Sequence, residues 1–122
     1  MTQQRNKFSH LTESIALNEL KRSEVASLLE GASRELCNFL SNLVHNHAIV
    51  GVSSLTHAEK DSLRRHKETI LIVVDKLEGH RAQREAFAAN PALVIRICQI
   101  HYRYMQVCRV LLLTRNHQVI KG

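Results

Sequence analysis

Apolar residues recur along this chain in steps of three and four, the spacing that places side chains on one face of an α-helix. The longest apolar segment is PALVIRICQIHYRYMQVCRVLLL, residues 91–113. Asn90-Pro91 is a favourable helix start, because proline at the first helical position loses no hydrogen bond that the helix needs. The pattern predicts one long helix over this segment, followed by a short tail at residues 116–122.

The predicted last helix has a polar arc and a wide apolar side. At about 100° per residue, the polar arc holds three arginines and two glutamines. The opposite side contains Val94, Ile97, His101, Tyr104, Met105, Cys108, Leu111 and Leu112. Such wide apolar coverage is typical of a helix at the centre of a bundle or in an oligomer interface. We therefore predict that the other helices pack against this one, and that the protein forms a homodimer.

Capping and turn residues divide the rest of the chain into four further helices. The predicted helices run from Ser9 to about Leu20, from Ser23 to about Asn46, from the capping box Thr56–Glu59 to about Leu77, and from His80 to Ala89. Gly31 would mark a close helix crossing, Ala48–Leu55 would be a loop, and residues 1–8 would be disordered. We expect an all-α antiparallel bundle of four to five helices, forming a single domain over residues 1–122.

Composition agrees with this fold class and bears on location. The chain has 122 residues, 44% hydrophobic, with one proline and four glycines, which favours one core of helices joined by short turns. No secretory signal is evident at the N-terminus, and the three cysteines lie in apolar surroundings, so we expect a cytoplasmic, reducing environment. Three arginines in the long apolar segment argue against a transmembrane helix.

The positive charge is concentrated at one end of the chain. The formal net charge is +6, and residues 86–122 contain five basic residues and no acidic residue. A localised basic surface favours a polyanionic partner. The alternative is a basic helix that faces acidic residues of its own bundle.

The leading prediction from this charge is sequence-independent nucleic-acid binding, with double-stranded RNA as one candidate. Arginines along a rigid helix would contact successive phosphates, glutamines between them would donate hydrogen bonds, and a basic stripe on the third helix would extend the surface. The predicted nucleic-acid-binding residues are Arg96, Gln99, Arg103, Gln106, Arg109, Lys60, Arg64 and Lys67.

The alternative prediction is a small helical protein-interaction module, a regulator, inhibitor or adaptor that binds a protein partner through an apolar groove. An arginine face open to solvent would favour nucleic acid. An exposed apolar surface would favour the protein partner, as would arginines paired with bundle acids such as Glu13, Glu19, Glu24 or Glu35.

Signatures of catalysis and of metal binding are weak in this sequence. The chain contains no glycine-rich phosphate loop, no Gly-x-Ser-x-Gly elbow, no Cys-x-x-Cys pair and no His-Glu-x-x-His motif. Cys98, His101 and Cys108 share roughly one helix face, which would bind metal only if another helix added ligands. We predict core roles for these three residues, no cofactor, and no enzymatic activity.

Overall fold

The computed structural model describes the backbone of residues 7–121 and the side chains of residues 7–111. This part of the chain is all-α, as predicted, and contains no strand. Its helices are α1 (Ser9–Ala16), α2 (Arg22–Glu30), α3 (Arg34–Val44), a π-helical segment (His45–Val50), α4 (His57–Arg64), α5 (Lys67–Val74), α6 (His80–Ala89) and α7 (Pro91–Lys121). Residues 1–6, most of the segment predicted to be disordered, lie outside the described residues.

The predicted helix from Ser23 to Asn46 is two helices, α2 and α3. Gly31 follows the end of α2, and Ser33 caps α3 by accepting a hydrogen bond from the Leu36 amide at 3.1 Å. A serine that caps a new helix competes with continuation of the old one. No neighbouring atom lies within 4 Å of the position that a Cβ of Gly31 would occupy, so the expected close helix crossing is not there.

The predicted third helix begins as expected and then breaks in two. The capping box is confirmed: the Glu59 amide donates to Thr56 Oγ1 at 3.1 Å, and the Thr56 amide donates to Glu59 Oε1 at 2.9 Å. However, α4 ends at Arg64, and α5 begins only at Lys67, after a turn. The predicted count of four to five helices is therefore too low, because two of the predicted helices are interrupted.

The predicted loop over Ala48–Leu55 starts later than expected, because α3 continues into the π-helical segment. That segment ends at Gly51, which has a φ of 76° and donates its amide hydrogen to the Asn46 carbonyl at 2.9 Å. Glycine adopts this left-handed conformation without the steric cost that a Cβ would add. The extra turn of helix carries His47, whose side chain is buried.

The first third of α7 is the centre of the core. Helices α1, α2, α3, α4 and α6 all pack against α7. Its buried residues, each at most 1% exposed, are Leu93, Val94, Ile97, Cys98 and Ile100. From His101 to Leu111 no side chain is buried. The predicted apolar coverage is thus confirmed for the first part of the helix, whereas Met105 and Leu111, expected on the covered side, are exposed.

The difference in helix lengths explains why α7 leaves the core. The other α-helices have 8 to 11 residues, and α7 has 31. At 1.5 Å per residue, the short helices are about 12–17 Å long and α7 is about 46 Å long. The bundle can therefore cover only part of α7. The predicted tail at residues 116–122 is helical as far as Lys121.

Replacing a core residue of α7 should destabilise the protein far more than the same kind of change beyond the core. Ile97→Ala should lower the free energy of unfolding by about 2–5 kcal/mol, because it leaves a cavity among fully buried side chains. Leu111→Ala, the matched control, should change it by less than about 0.5 kcal/mol. Urea unfolding followed by circular dichroism measures both. Equal costs would show that Leu111 is buried in the isolated protein and would contradict this fold.

Candidate functional site

Arg103, one of the predicted phosphate-contacting residues, ties α7 to α4. Its Nη2 donates to Glu59 Oε1 at 2.7 Å, and its Nε donates to Glu59 Oε2 at 3.2 Å. The same Nη2 donates to the Ser54 carbonyl at 3.0 Å. The Glu59 side chain is 10% exposed and the Arg103 side chain is 37% exposed. Two charge-assisted bonds with this fork geometry compensate the burial of the carboxylate.

The pKa of Glu59 shows that this pairing outweighs burial. Burial by itself would raise the pKa of the carboxyl group, but hydrogen bonds from Thr56 and Arg103 lower it, and the net result is a pKa below the ordinary value. Glu59 is therefore ionised at neutral pH, and its charge is matched by that of Arg103. The sequence pointed to other acids as arginine partners (Glu13, Glu19, Glu24 and Glu35). It missed Glu59 because the capping box already accounted for that residue locally.

The other α7 residues that were predicted to bind nucleic acid differ in their contacts and in their exposure. Arg96 donates through Nε to Ser62 Oγ at 3.2 Å. Because Arg96 meets Ser62 while Arg103 meets Glu59, α4 and α7 run antiparallel where they touch. Gln99 and Gln106 are partly exposed. Arg109 is exposed, and it makes no ion pair with the described side chains.

The second predicted basic stripe is divided between two helices. Lys60 and Arg64 lie on α4 and Lys67 lies on α5, and all three are exposed. Arg64 pairs with Asp61 at 3.0 Å, on the surface. The turn between the two helices interrupts the regular spacing that would have aligned these three cations on one face.

A chain of three hydrogen-bonded side chains joins the π-helical segment to α7. Ser53 Oγ lies 2.9 Å from His47 Nδ1, and His47 Nε2 lies 3.0 Å from His101 Nδ1. His47 is 1% exposed and Ser53 is 8% exposed. The Tyr104 ring meets the His47 ring edge-on, with 5.3 Å between centroids. Since Ser53 and His47 are both buried, this pair stabilises the junction and does not present a nucleophile to solvent.

Burial keeps both imidazoles neutral at physiological pH. The pKa of His47 falls to about 4, mainly because of burial. The charge of Arg103 and the charge that a protonated His101 would carry also contribute to this lowering, and Glu59 opposes it. Burial also lowers the pKa of His101. One neutral arrangement satisfies both contacts: Ser53 donates to His47 Nδ1, and His47 Nε2–H donates to His101 Nδ1. Sequence reasoning missed this network, although a histidine on an apolar helix face signals a need for a buried partner.

The three residues considered as metal ligands do not converge. Cys98 is fully buried, and burial raises the pKa of its thiol to about 12. His101 is bonded to His47, and Cys108 shares a hydrogen bond with Tyr104 that raises the pKa of the tyrosine hydroxyl. Among the described side chains, no three potential ligands from histidine, cysteine, aspartate and glutamate come together.

Large apolar side chains are exposed beyond the core on residues 102–111, which we call the α7 arm. Val107, Val110 and Leu111 are 48%, 60% and 62% exposed. They are spaced three and four residues apart and so share one side of the helix, the arm face. The π-helical segment, which contacts α7, and the loop after it also carry exposed apolar side chains: Ile49, Val50 and Val52.

Comparisons with known proteins leave the site to be interpreted from its own chemistry. No protein-family model, curated protein or solved structure matches this chain. None of the helices in the described part combines the length and the hydropathy needed to cross a bilayer.

Removing the Arg103 side chain should cost far more stability than removing a surface arginine. Arg103→Met leaves the Glu59 carboxylate buried without its charge partner, so we expect the free energy of unfolding to fall by about 2–3 kcal/mol. Arg64→Met breaks an exposed pair and should cost less than about 1 kcal/mol. Chemical denaturation at neutral pH gives both values. If the free energy of unfolding falls by the same small amount in both variants, Arg103 does not hold α7 to α4.

Acid should destabilise the protein through His47. Its pKa is about 4 when folded and 6.5 when unfolded, so between these values the unfolded chain binds a proton that the folded protein excludes. The free energy of unfolding should therefore fall as the pH drops from 6.5 to 4, by up to about 3 kcal/mol. His47→Gln should show a shallower fall in urea unfolding at pH 7.5 and 4.5. Burial also lowers the pKa values of His101 and His66, and both residues contribute in both proteins. Identical slopes would therefore exclude His47 as the cause.

Proposed function

We propose that this chain is a small helical protein-interaction module that binds a partner helix on the arm face of α7. The observation that supports this proposal is the exposure of Val107, Val110 and Leu111 on a helix whose first third packs into the core. Apolar surface left in water costs about 25 cal/mol per Å² compared with burial. Contiguous exposed apolar surface in globular proteins commonly marks an interaction site.

The spacing of the arm face suits a helical partner. Anchors at intervals of three and four residues are the pattern by which one amphipathic helix packs along another. The root of the arm is held by the Arg103–Glu59 pair and by the contact of His47 with His101 and Tyr104. An interface presented on a pre-positioned element loses less conformational entropy on binding, which favours affinity.

Charge favours a partner with acidic residues beside its apolar face. Residues 86–122 hold five basic residues and no acidic residue, and Arg109 is exposed on the arm. Opposite charges around an apolar contact accelerate association and set the orientation of the partner. The homodimer expected from the sequence would bring two basic arms together, so an acidic helix of another protein is the preferred partner. Self-association is the alternative that the experiment must separate.

Nucleic-acid binding is the second candidate, favoured by the exposure of Arg109, Lys60 and Lys67, none of which pairs with an acid among the described side chains. It is weaker because Arg96 and Arg103 are already bonded to α4. Moving Arg103 to a phosphate would leave Glu59 buried and unpaired, which is costly. Of the eight predicted side chains, these three are the ones that remain as exposed cations without an ion pair among the described residues, and a duplex backbone could contact them.

Site-specific photo-cross-linking tests the proposal. A photoreactive amino acid at Val107 should give a discrete protein adduct in extracts of the cells that make this protein, identified by mass spectrometry as a segment with an acidic amphipathic helix. The same group at Glu30, an exposed residue at the end of α2 and outside the arm face, is the control and should not give that adduct. The adduct should disappear when a Leu111→Ser change is added, because the arm face loses an anchor.

Each other outcome of this experiment has a definite meaning. An adduct with a second copy of the chain would replace the heterologous partner by a homodimer. An adduct with RNA or DNA, lost in Arg109→Ala, would favour the nucleic-acid candidate. Equal adducts from Val107 and Glu30 would contradict a specific arm face.

A further inference from the structure

A polar groove, separate from the α7 arm, lies between α3 and the turn that joins α5 to α6. Its volume is about 600 Å³. Small-molecule sites in proteins typically measure roughly 300–1,000 Å³. One wall is formed by residues of α3, and of the segment that continues it, at intervals of three and four: Arg34, Asn38, Ser41, Asn42 and His45. The sequence thus builds a polar stripe on the side of α3 opposite its apolar core residues.

Two buried polar atoms in this groove lack a hydrogen-bond partner. They are Ser41 Oγ and His80 Nδ1, and among the described side chains no other buried nitrogen or oxygen atom is left in this state. Both residues line the groove. A buried polar group without a partner destabilises the folded protein, so native structures keep few of them. Both atoms are closed to solvent in the unliganded protein, so each would gain a partner from a molecule in the groove only if its side chain turned toward that molecule.

The charges around the groove favour an anion. Arg34 and Lys76 lie at its walls, with Glu78 as the one acid, so the lining carries a net positive charge even when its histidines are neutral. Helix α6 also begins there, with Gly79 at its N-cap position, no side-chain cap and no acid in its first turn. The first amides of α6 therefore have no capping side chain within the protein, which adds to the positive potential.

We propose that this groove binds a small phosphate-bearing, hydroxyl-rich metabolite. Arg34 and Lys76 would pair with the phosphate, because charge-assisted bonds to phosphate oxygens are the strongest that such a groove offers. The Ser41 hydroxyl and the amide groups of Asn38 and Asn42 would bond to the remaining oxygens. The partly buried Val74, which also lines the groove, would contact the carbon skeleton. This site does not depend on the arm face.

An NMR titration with ribose 5-phosphate, AMP and citrate, at constant ionic strength, tests the proposal. Saturable shifts should be confined to residues 34–45 and 73–83, with a dissociation constant of roughly millimolar or tighter for the two phosphates. Lys76→Gln should raise that constant about tenfold. Arg81→Gln is the matched control: it removes one positive charge from exposed Arg81 of α6, which pairs with Glu85 outside the groove, and should change binding less than about twofold.

Ser41→Ala separates a binding role from a structural one. It removes a buried hydroxyl that has no partner, so the unliganded protein should melt at a higher temperature while phosphate binding weakens. A lower melting temperature with unchanged binding would mean that Ser41 is purely structural and would overturn the proposal. So would the absence of saturable binding by both phosphates, equal losses in Lys76→Gln and Arg81→Gln, or tighter binding of citrate than of either phosphate. The Leu111→Ser arm variant should bind normally, so this result and that for the arm are independent.

Discussion

Burial of five side chains of α7 is the constraint on which the rest of the structure depends: Leu93, Val94, Ile97, Cys98 and Ile100. The six other α-helices are short, and a helix of 8 to 11 residues is not stable alone in water, so each must bury its apolar side against a partner. Five of them find that partner in α7, and α5 packs on α3 and α6. The length of these short helices limits how much of α7 they cover. The exposure of the arm is thus a consequence of the same packing that forms the core.

Two polar contacts lie where the core ends and the arm begins. The Arg103–Glu59 pair joins α4 to α7, and the His47–His101 contact joins the π-helical segment to α7. Both replace apolar packing at a level of the helix where no side chain of α7 is fully buried. Because hydrogen bonds are directional, they fix the orientation of the arm relative to the bundle more closely than apolar contacts would. That orientation determines which side of the arm a partner meets.

Local signals in the sequence predicted local structure well. Periodicity indicated the all-α class, Asn90-Pro91 marked the start of α7, and the Thr56–Glu59 capping box marked the start of α4. The bounds of α6 were also as predicted. The breaks between α2 and α3 and between α4 and α5 were missed. The residues at these breaks, Gly31 and those just before Lys67, do not interrupt the helical pattern of the sequence strongly enough to predict a helix end. Whether the chain breaks there depends on packing elsewhere, which periodicity does not report.

The candidate site was harder to predict, because its contacts join residues far apart in the chain. His47 and His101 are 54 positions apart, and Glu59 and Arg103 are 44 apart. The sequence indicated that Arg96, Arg103 and Arg109 share one side of the helix, but it could not indicate which residues they contact. Similarly, an apolar helix segment has the same pattern whether it is covered by its own bundle or left for a partner. Only the lengths of the surrounding helices distinguish Ile97 from Leu111, and those lengths depend on the missed breaks.

Hydrogen–deuterium exchange along α7, in dilute isolated protein, tests most directly whether the helix is divided into a first part buried in the core and an exposed arm. We predict strong protection of the amides of residues 94–101, close to that for global unfolding, and weak protection of residues 105–111, with a sharp change near Arg103. Uniformly strong protection through Leu111 at the lowest measurable concentration would contradict the account, because the arm would then be covered by the protein itself.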